Sequence, residues 1–171
     1  MNAMELIEQA VESYNKALEF LGKGDVFDAA EKAWRAVENI RKALLVAVGI
    51  PYDKAKTINY GYPLFSRILR ALGQKDLLEK YEWFESILHA KGFYGQIIPF
   101  DELKETILEV REWLEKMRRI IGNISKADLS DALKIMEKIM DLRRELLRAN
   151  MEYTRLNDEL RSLIDKKIKQ R

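Results

Sequence analysis

The chain has 171 residues, of which 47% are hydrophobic and 34% charged, so it can bury a core and lacks the composition of a disordered segment. Its 30 Lys+Arg against 28 Asp+Glu leave a formal charge of +2, short of the basic excess of a strong nucleic-acid binder. It has no cysteine, which excludes a disulfide framework, a thiolate metal site and a cysteine nucleophile.

Ile7, Val11, Tyr14, Leu18 and Leu21 recur at alternating four and three, which predicts a first helix with one apolar face. Gly22-Lys23-Gly24 breaks it, and Asp25 is a natural N-cap for the next. Val26, Ala30, Ala33, Val37, Ile40, Leu44 and Ala47 continue that spacing up to Gly49-Ile50-Pro51. Trp34 shares the face of Ala30 and Val37 and reads as core. Glu31–Arg35 and Glu38–Lys42 read as solvated i,i+4 pairs.

Residues 51–63, with two prolines, Asn59, Gly61 and three tyrosines, read as the longest irregular stretch. A short helix follows, with Phe65, Ile68, Leu69 and Leu72 inward. Another starts near Asp76, sets Leu77, Tyr81, Phe84 and Leu88 in register, and ends at Gly92. A further helix begins near Asp101 and carries Leu103, Ile107, Val110, Leu114, Met117 and Ile121.

From Ser125-Lys126-Ala127-Asp128, a capping-box pattern with Asp at its end, no Gly or Pro interrupts the chain to Arg171. Ala132, Ile139, Leu146, Tyr153 and Leu160 share one heptad position. Ile135, Leu142, Ala149, Leu156 and Leu163 share the other, a spacing that predicts a coiled-coil seam. A helix this long reaches roughly 60 Å, so it projects, pairs, or serves as one more bundle helix. The expected organisation is a helical bundle over residues 1–122 and a C-terminal association or partner-binding helix over 123–171. No stretch reaches the ~18 consecutive apolar residues of a membrane span. Met1-Asn2-Ala3-Met4-Glu5 has no basic n-region, so a cytoplasmic protein without membrane contact is expected.

Two blocks stand out: Gly24-Asp25 followed by Ala30-Glu31-Lys32-Ala33-Trp34-Arg35-Ala36, and Leu88-His89-Ala90-Lys91-Gly92-Phe93-Tyr94. In this order, before an acidic helix, they resemble the archaeal PaREP family of the HEPN (higher eukaryote and prokaryote nucleotide-binding) group over about residues 5 to 120. The resemblance implies an all-α, up-and-down HEPN-like bundle that dimerises, with relatives that include metal-independent ribonucleases and degenerate, non-catalytic forms. The ribonuclease relatives carry an Arg and a His separated by four to six residues on one helix. The His moves a proton and the Arg holds the scissile phosphate. Glu82, Trp83 and Phe84 stand where that Arg is required, and Glu85 adds a charge that repels phosphate. No catalytic residue is assigned on this reading.

His89 suits a helix C-terminus with Glu85 one turn back; its functional alternative is a phosphate or base contact. With Tyr94 and Glu31 it forms one set of candidate ligand-binding residues. Lys54 and Lys56 beside Tyr60 form another, able to stack a base and neutralise a phosphate, or simply to pack over the bundle end. A second His for a Glu-x-x-His metal pair is missing, and no P-loop or dinucleotide fingerprint occurs; neither metal nor cofactor is expected. The leading expectation is a non-catalytic dimeric bundle that binds a nucleotide, RNA or a protein partner. The alternatives are a structural adaptor pairing through the C-terminal helix and, last, a metal-independent ribonuclease.

Overall fold

Asn2 opens the first helix, α1 (Ala3–Gly22), with a capping box in which its side chain accepts from the Glu5 amide while the Glu5 carboxylate accepts from the Asn2 amide. Two orphan donors of the first turn are satisfied in this way. The computed structural model describes residues 1–124 and 130–169. They are helical apart from short connections, with no strand among them, and their contacts divide the chain into two units, Met1–Leu129 and Ser130–Arg171.

In the first unit, α1 ends in a tight turn where the Asp25 amide donates to the Phe20 carbonyl at 3.0 Å, and Asp25 then caps α2 (Val26–Ala47) by accepting from the Asp28 amide. Helix α2 is the central element. Ala29, Ala30, Ala33, Trp34, Ala36, Val37, Ile40, Ala43, Leu44 and Leu45 are all buried, which covers most of its circumference. The small side chains let α1 lie close, and this moves the buried face of α1. Leu6, Ile7, Ala10, Tyr14 and Ala17 point inward, while Val11 and Leu18 stay at the exposed edge. Alanine is selected for contact because a larger residue there would hold the helices apart.

The stretch read as irregular is mostly helical. It forms α3 (Tyr52–Ala55) and α4 (Ile58–Ala71), with Pro63 inside α4. Pro51 and Thr57 stand at the two N-caps, and Pro63, the sixth residue of α4, lies in its second turn, where its missing N–H forgoes one i−4 hydrogen bond of the helix. Leu64, Phe65 and Leu69 are buried, whereas Leu72 is exposed. Helix α5 (Lys75–Phe84) buries Leu77, Leu78, Tyr81 and Phe84 and continues directly into a π-helical segment, Glu85–Tyr94. The helix therefore does not stop at Gly92; that residue is buried inside the π segment. Helix α6 (Phe100–Asn123) buries all six of its expected apolar positions together with Thr106 and Trp113. The indole N–H of Trp113 donates to the Leu77 carbonyl at 2.9 Å and ties α6 to α5.

The second unit is a single helix, α7 (Ser130–Lys169). The pattern Ser125-Lys126-Ala127-Asp128 lies outside the described residues. Ile135, Leu142, Leu146, Tyr153, Leu156, Leu160 and Leu163 are between 50% and 69% exposed, and Ile139 is half-buried. No helix of the described residues is long and apolar enough to cross a membrane.

Candidate functional site

The π segment meets α2 at an aromatic stack. The His89 ring lies over Trp34 with centroids 5.4 Å apart and planes at 27°. Tyr94 meets the other side of the imidazole edge-on at 4.9 Å, and Phe93 packs edge-on against Tyr94. Trp34 is buried as expected, His89 is half-buried and Tyr94 is 71% exposed. His89 Nδ1 is buried without a hydrogen-bond partner. The imidazole is held by ring contacts with Trp34 of α2 and with Tyr94.

Beside this stack is a charged network. Arg41 is completely buried, and it donates from Nε to Glu38 Oε1 at 2.7 Å, from Nη2 to Glu38 Oε2 at 2.9 Å and from Nη1 to the Ala55 carbonyl at 3.1 Å. Tyr81 donates its hydroxyl to Glu38 Oε1 at 2.7 Å, and Lys42 Nζ stands 4.0 Å from Oε2. Glu38 and Lys42 are thus not a solvated surface pair; they belong to a cluster that links α2 to α3 and α5. Burial opposes ionisation of Glu38, but the Arg41 hydrogen bonds and charge, with Tyr81 and Lys42, outweigh it and hold the carboxyl below its ordinary pKa. Burial and the Glu38 charge push the Tyr81 hydroxyl far upward. The Tyr81 ring contacts Trp34 at 5.5 Å, Tyr62 at 5.8 Å and Phe65 at 5.0 Å. Network and stack thereby share one aromatic wall.

Gly61 makes this geometry fit. A Cβ there would run into the Arg41 guanidinium and lie 2.5 Å from the Ala55 carbonyl oxygen, the two groups joined by the hydrogen bond. The Tyr62 hydroxyl donates to Glu82, and burial together with Glu82 and Glu85 raises its pKa to about 12.

The sequence candidates fall into separate groups. His89 and Tyr94 come together on the π segment. Glu31 lies on α2, half-buried, accepting from Lys32 and Arg35 at 2.7 Å each; those cations outweigh its burial and lower its pKa. Lys54 lies 5.7 Å over the Tyr60 ring, at the α3–α4 corner, and Lys56 is exposed there. A cleft of about 730 Å³ opens at the far end of α2, lined by Met4, Ile7, Ala47, Arg118, Arg119 and Ile121 among others; none of the six candidates lines it. The residues that sequence reasoning missed are Arg41, Tyr81 and Tyr62. Their only signal was an Arg three residues after Glu38, where attention went to Lys42 at four.

Arg41 is committed to Glu38, Arg70 donates to Ser66 Oγ at 3.4 Å and Arg67 is exposed. Glu82 and Glu85 add negative charge felt at Tyr62. Among the described residues, no group of three or more His, Asp or Glu is gathered to hold a metal ion. The profile of the archaeal PaREP1/PaREP8 family matches residues 5–114, from α1 into α6. No curated protein and no solved structure matches the chain.

Proposed function

We propose that this chain, which belongs to the archaeal PaREP1/PaREP8 family, is a non-catalytic association module: a HEPN-like bundle that homodimerises through α7 and acts by holding a partner rather than by transforming a substrate. One observation carries the reading. Seven large apolar residues at heptad spacing on α7 are at least half exposed, and a contiguous apolar stripe of this kind marks an interface.

The case against catalysis is electrostatic. A metal-independent ribonuclease positions a phosphate with a cation beside the proton-shuttling His, and positioning is a large share of such catalysis. Here Arg41, about two helical turns beyond Trp34 along α2, is neutralised by Glu38, and the Glu85 charge acts on Arg41 as well. A second reading, binding of a nucleotide or RNA base, draws support from the exposed Tyr94 ring set against His89, since a base can stack on such a π-face.

The test is to incubate the full chain with labelled single-stranded RNA in EDTA while light scattering reports its mass. A dimer that leaves the RNA intact is expected. Binding without cleavage, lost in Tyr94→Ala, would favour the second reading. Turnover lost in His89→Ala with folding intact would make the chain an enzyme and refute the proposal.

A further inference from the structure

Resting on the reading that α7 pairs with itself, we propose that two copies of α7 associate antiparallel, in the register that sets Ile139 against the partner's Leu156, Leu142 against the partner's Tyr153 and Leu146 against the partner's Ala149. Three features select a second copy in this orientation: the extent of the seam, the sizes along it and the charges beside it.

The seam extends from Ile135 to Leu163 in the described side chains; Ile135, Leu142, Leu146, Tyr153, Leu156, Leu160 and Leu163 are at least half exposed, and Ile139 is half-buried. At 1.5 Å per residue it covers about 40 Å of helix, enough for a two-stranded coiled coil whose facing positions alternate between the two heptad sets in antiparallel pairing. The proposed register is the one that brings every seam position opposite another; a shift by one heptad strands Leu160 and Leu163 of each copy in one direction, and Ala132 and Ile135 in the other.

Size comes next. In a parallel pair each layer is formed by the same residue twice, so Ala149 would face Ala149 and Tyr153 would face Tyr153, a void beside a bulge. Antiparallel pairing sets Ala149 against Leu146 and Tyr153 against Leu142, so small meets large and the layers keep an even volume.

Charge then decides the flanks. The positions beside the seam are Lys138, Glu145, Glu152 and Glu159 on one side and Arg143, Asn150 and Asn157 on the other. A parallel pair brings Lys138 against the partner's Arg143 twice and offers no opposite-charge pair among these positions. An antiparallel pair brings Lys138 against the partner's Glu159 twice. It also brings Glu145 near the partner's Glu152, but Arg155 already holds the Glu152 carboxylate, at 2.7 and 3.0 Å. Lys138 and Glu159 are both exposed; Arg155 lies 3.6 Å from Glu159 as well, a longer contact than its two hydrogen bonds to Glu152, so the Glu159 charge is the less neutralised of the two and can face Lys138 across an interface.

The experiment is sedimentation equilibrium on the full chain at low salt, comparing wild type, Lys138→Glu, Glu159→Lys and the double variant. These are surface changes that leave the bundle intact. Each single variant is expected to weaken the dimer roughly tenfold, the double variant to restore it, and 1 M salt to erase the differences. Tightening by Lys138→Glu would overturn the inference in favour of parallel pairing, because the change would then attract Arg143. Independent, uncoupled effects would overturn it as well while leaving the dimer of the proposed function standing. A monomeric wild type would overturn both. A second readout uses the absence of native cysteine. Ile139→Cys mixed with Leu156→Cys should cross-link, whereas Ile139→Cys alone should not, since antiparallel copies of residue 139 are about 25 Å apart along the pair; self-cross-linking would contradict the proposal.

Discussion

Arg41 is among the largest fully buried side chains, and Glu38 is the carboxylate that bonds it. Removing one member of such a pair leaves an uncompensated buried charge, so Glu38→Ala should cost about 3–5 kcal/mol. Replacing both by apolar residues, Glu38→Leu with Arg41→Met, should cost less than either single change; chemical denaturation of the three variants measures it. The same network sets the pH response. Because the folded Glu38 pKa lies below its unfolded value, its contribution is present above the unfolded pKa and is lost as pH falls through the folded one. Stability should therefore decline below about pH 4, with a shallower decline in Glu38→Gln. Tyr62, raised to about 12, acts in the opposite direction. Its contribution is present below the unfolded value near 10 and is lost as pH climbs through 12. Trp34→Ala, which empties the site between His89 and Tyr81, should cost about 3–5 kcal/mol. A variant that kept its melting temperature but lost a ligand would make Trp34 a binding residue instead. The core role of Trp34 was legible from its place on the Ala30–Val37 face. The burial of Arg41 was not, because a Glu–Arg pair at i,i+3 looks the same on a solvated helix and in a closed cluster.

At the scale of elements, periodicity recovered α6 position by position, since it turns one apolar stripe toward the core; it found the stripe of α2 but not the burial of most of its circumference, and the register of α5 but not its passage into the π segment. It failed where the partner rather than the helix chooses the face. The buried side of α1 follows its alanines because α2 offers an alanine-rich surface. The π segment left no sequence signal either: Ile87 and Leu88 fit an ordinary helical register, and Gly92 reads as a stop. In the fold that glycine is needed for closeness, since a Cβ would lie 2.5 Å from the Ile87 carbonyl oxygen and 2.9 Å from Leu103. The α3–α4 corner was hidden by its two prolines and by Gly61, residues that mark turns on average but here sit at an N-cap (Pro51), in the second turn of α4 (Pro63) and at a close approach (Gly61). Gly61→Ala should cost about 1–3 kcal/mol by forcing Arg41 from Ala55. Gly22→Ala, where nothing lies within 4 Å, should be neutral or stabilising by up to about 1 kcal/mol. Thermal melts of the two variants provide the comparison.

For the whole molecule, the family match stops within α6, and α7 carries the feature that most directly implies association. The bundle sets its imidazole against Trp34 and Tyr94 and binds its buried arginine to a carboxylate. The heptad pattern was legible in the sequence; what it faces was not, because spacing alone does not say what covers a seam. The account therefore stands on self-association. Sedimentation equilibrium of wild type beside Leu142→Glu/Leu156→Glu, which charges two exposed seam positions, tests it directly. A wild-type dimer at micromolar concentration that becomes monomeric in the double variant, with an unchanged bundle melt, is the predicted result; a monomeric wild type, or a dimer indifferent to both charges, would contradict it.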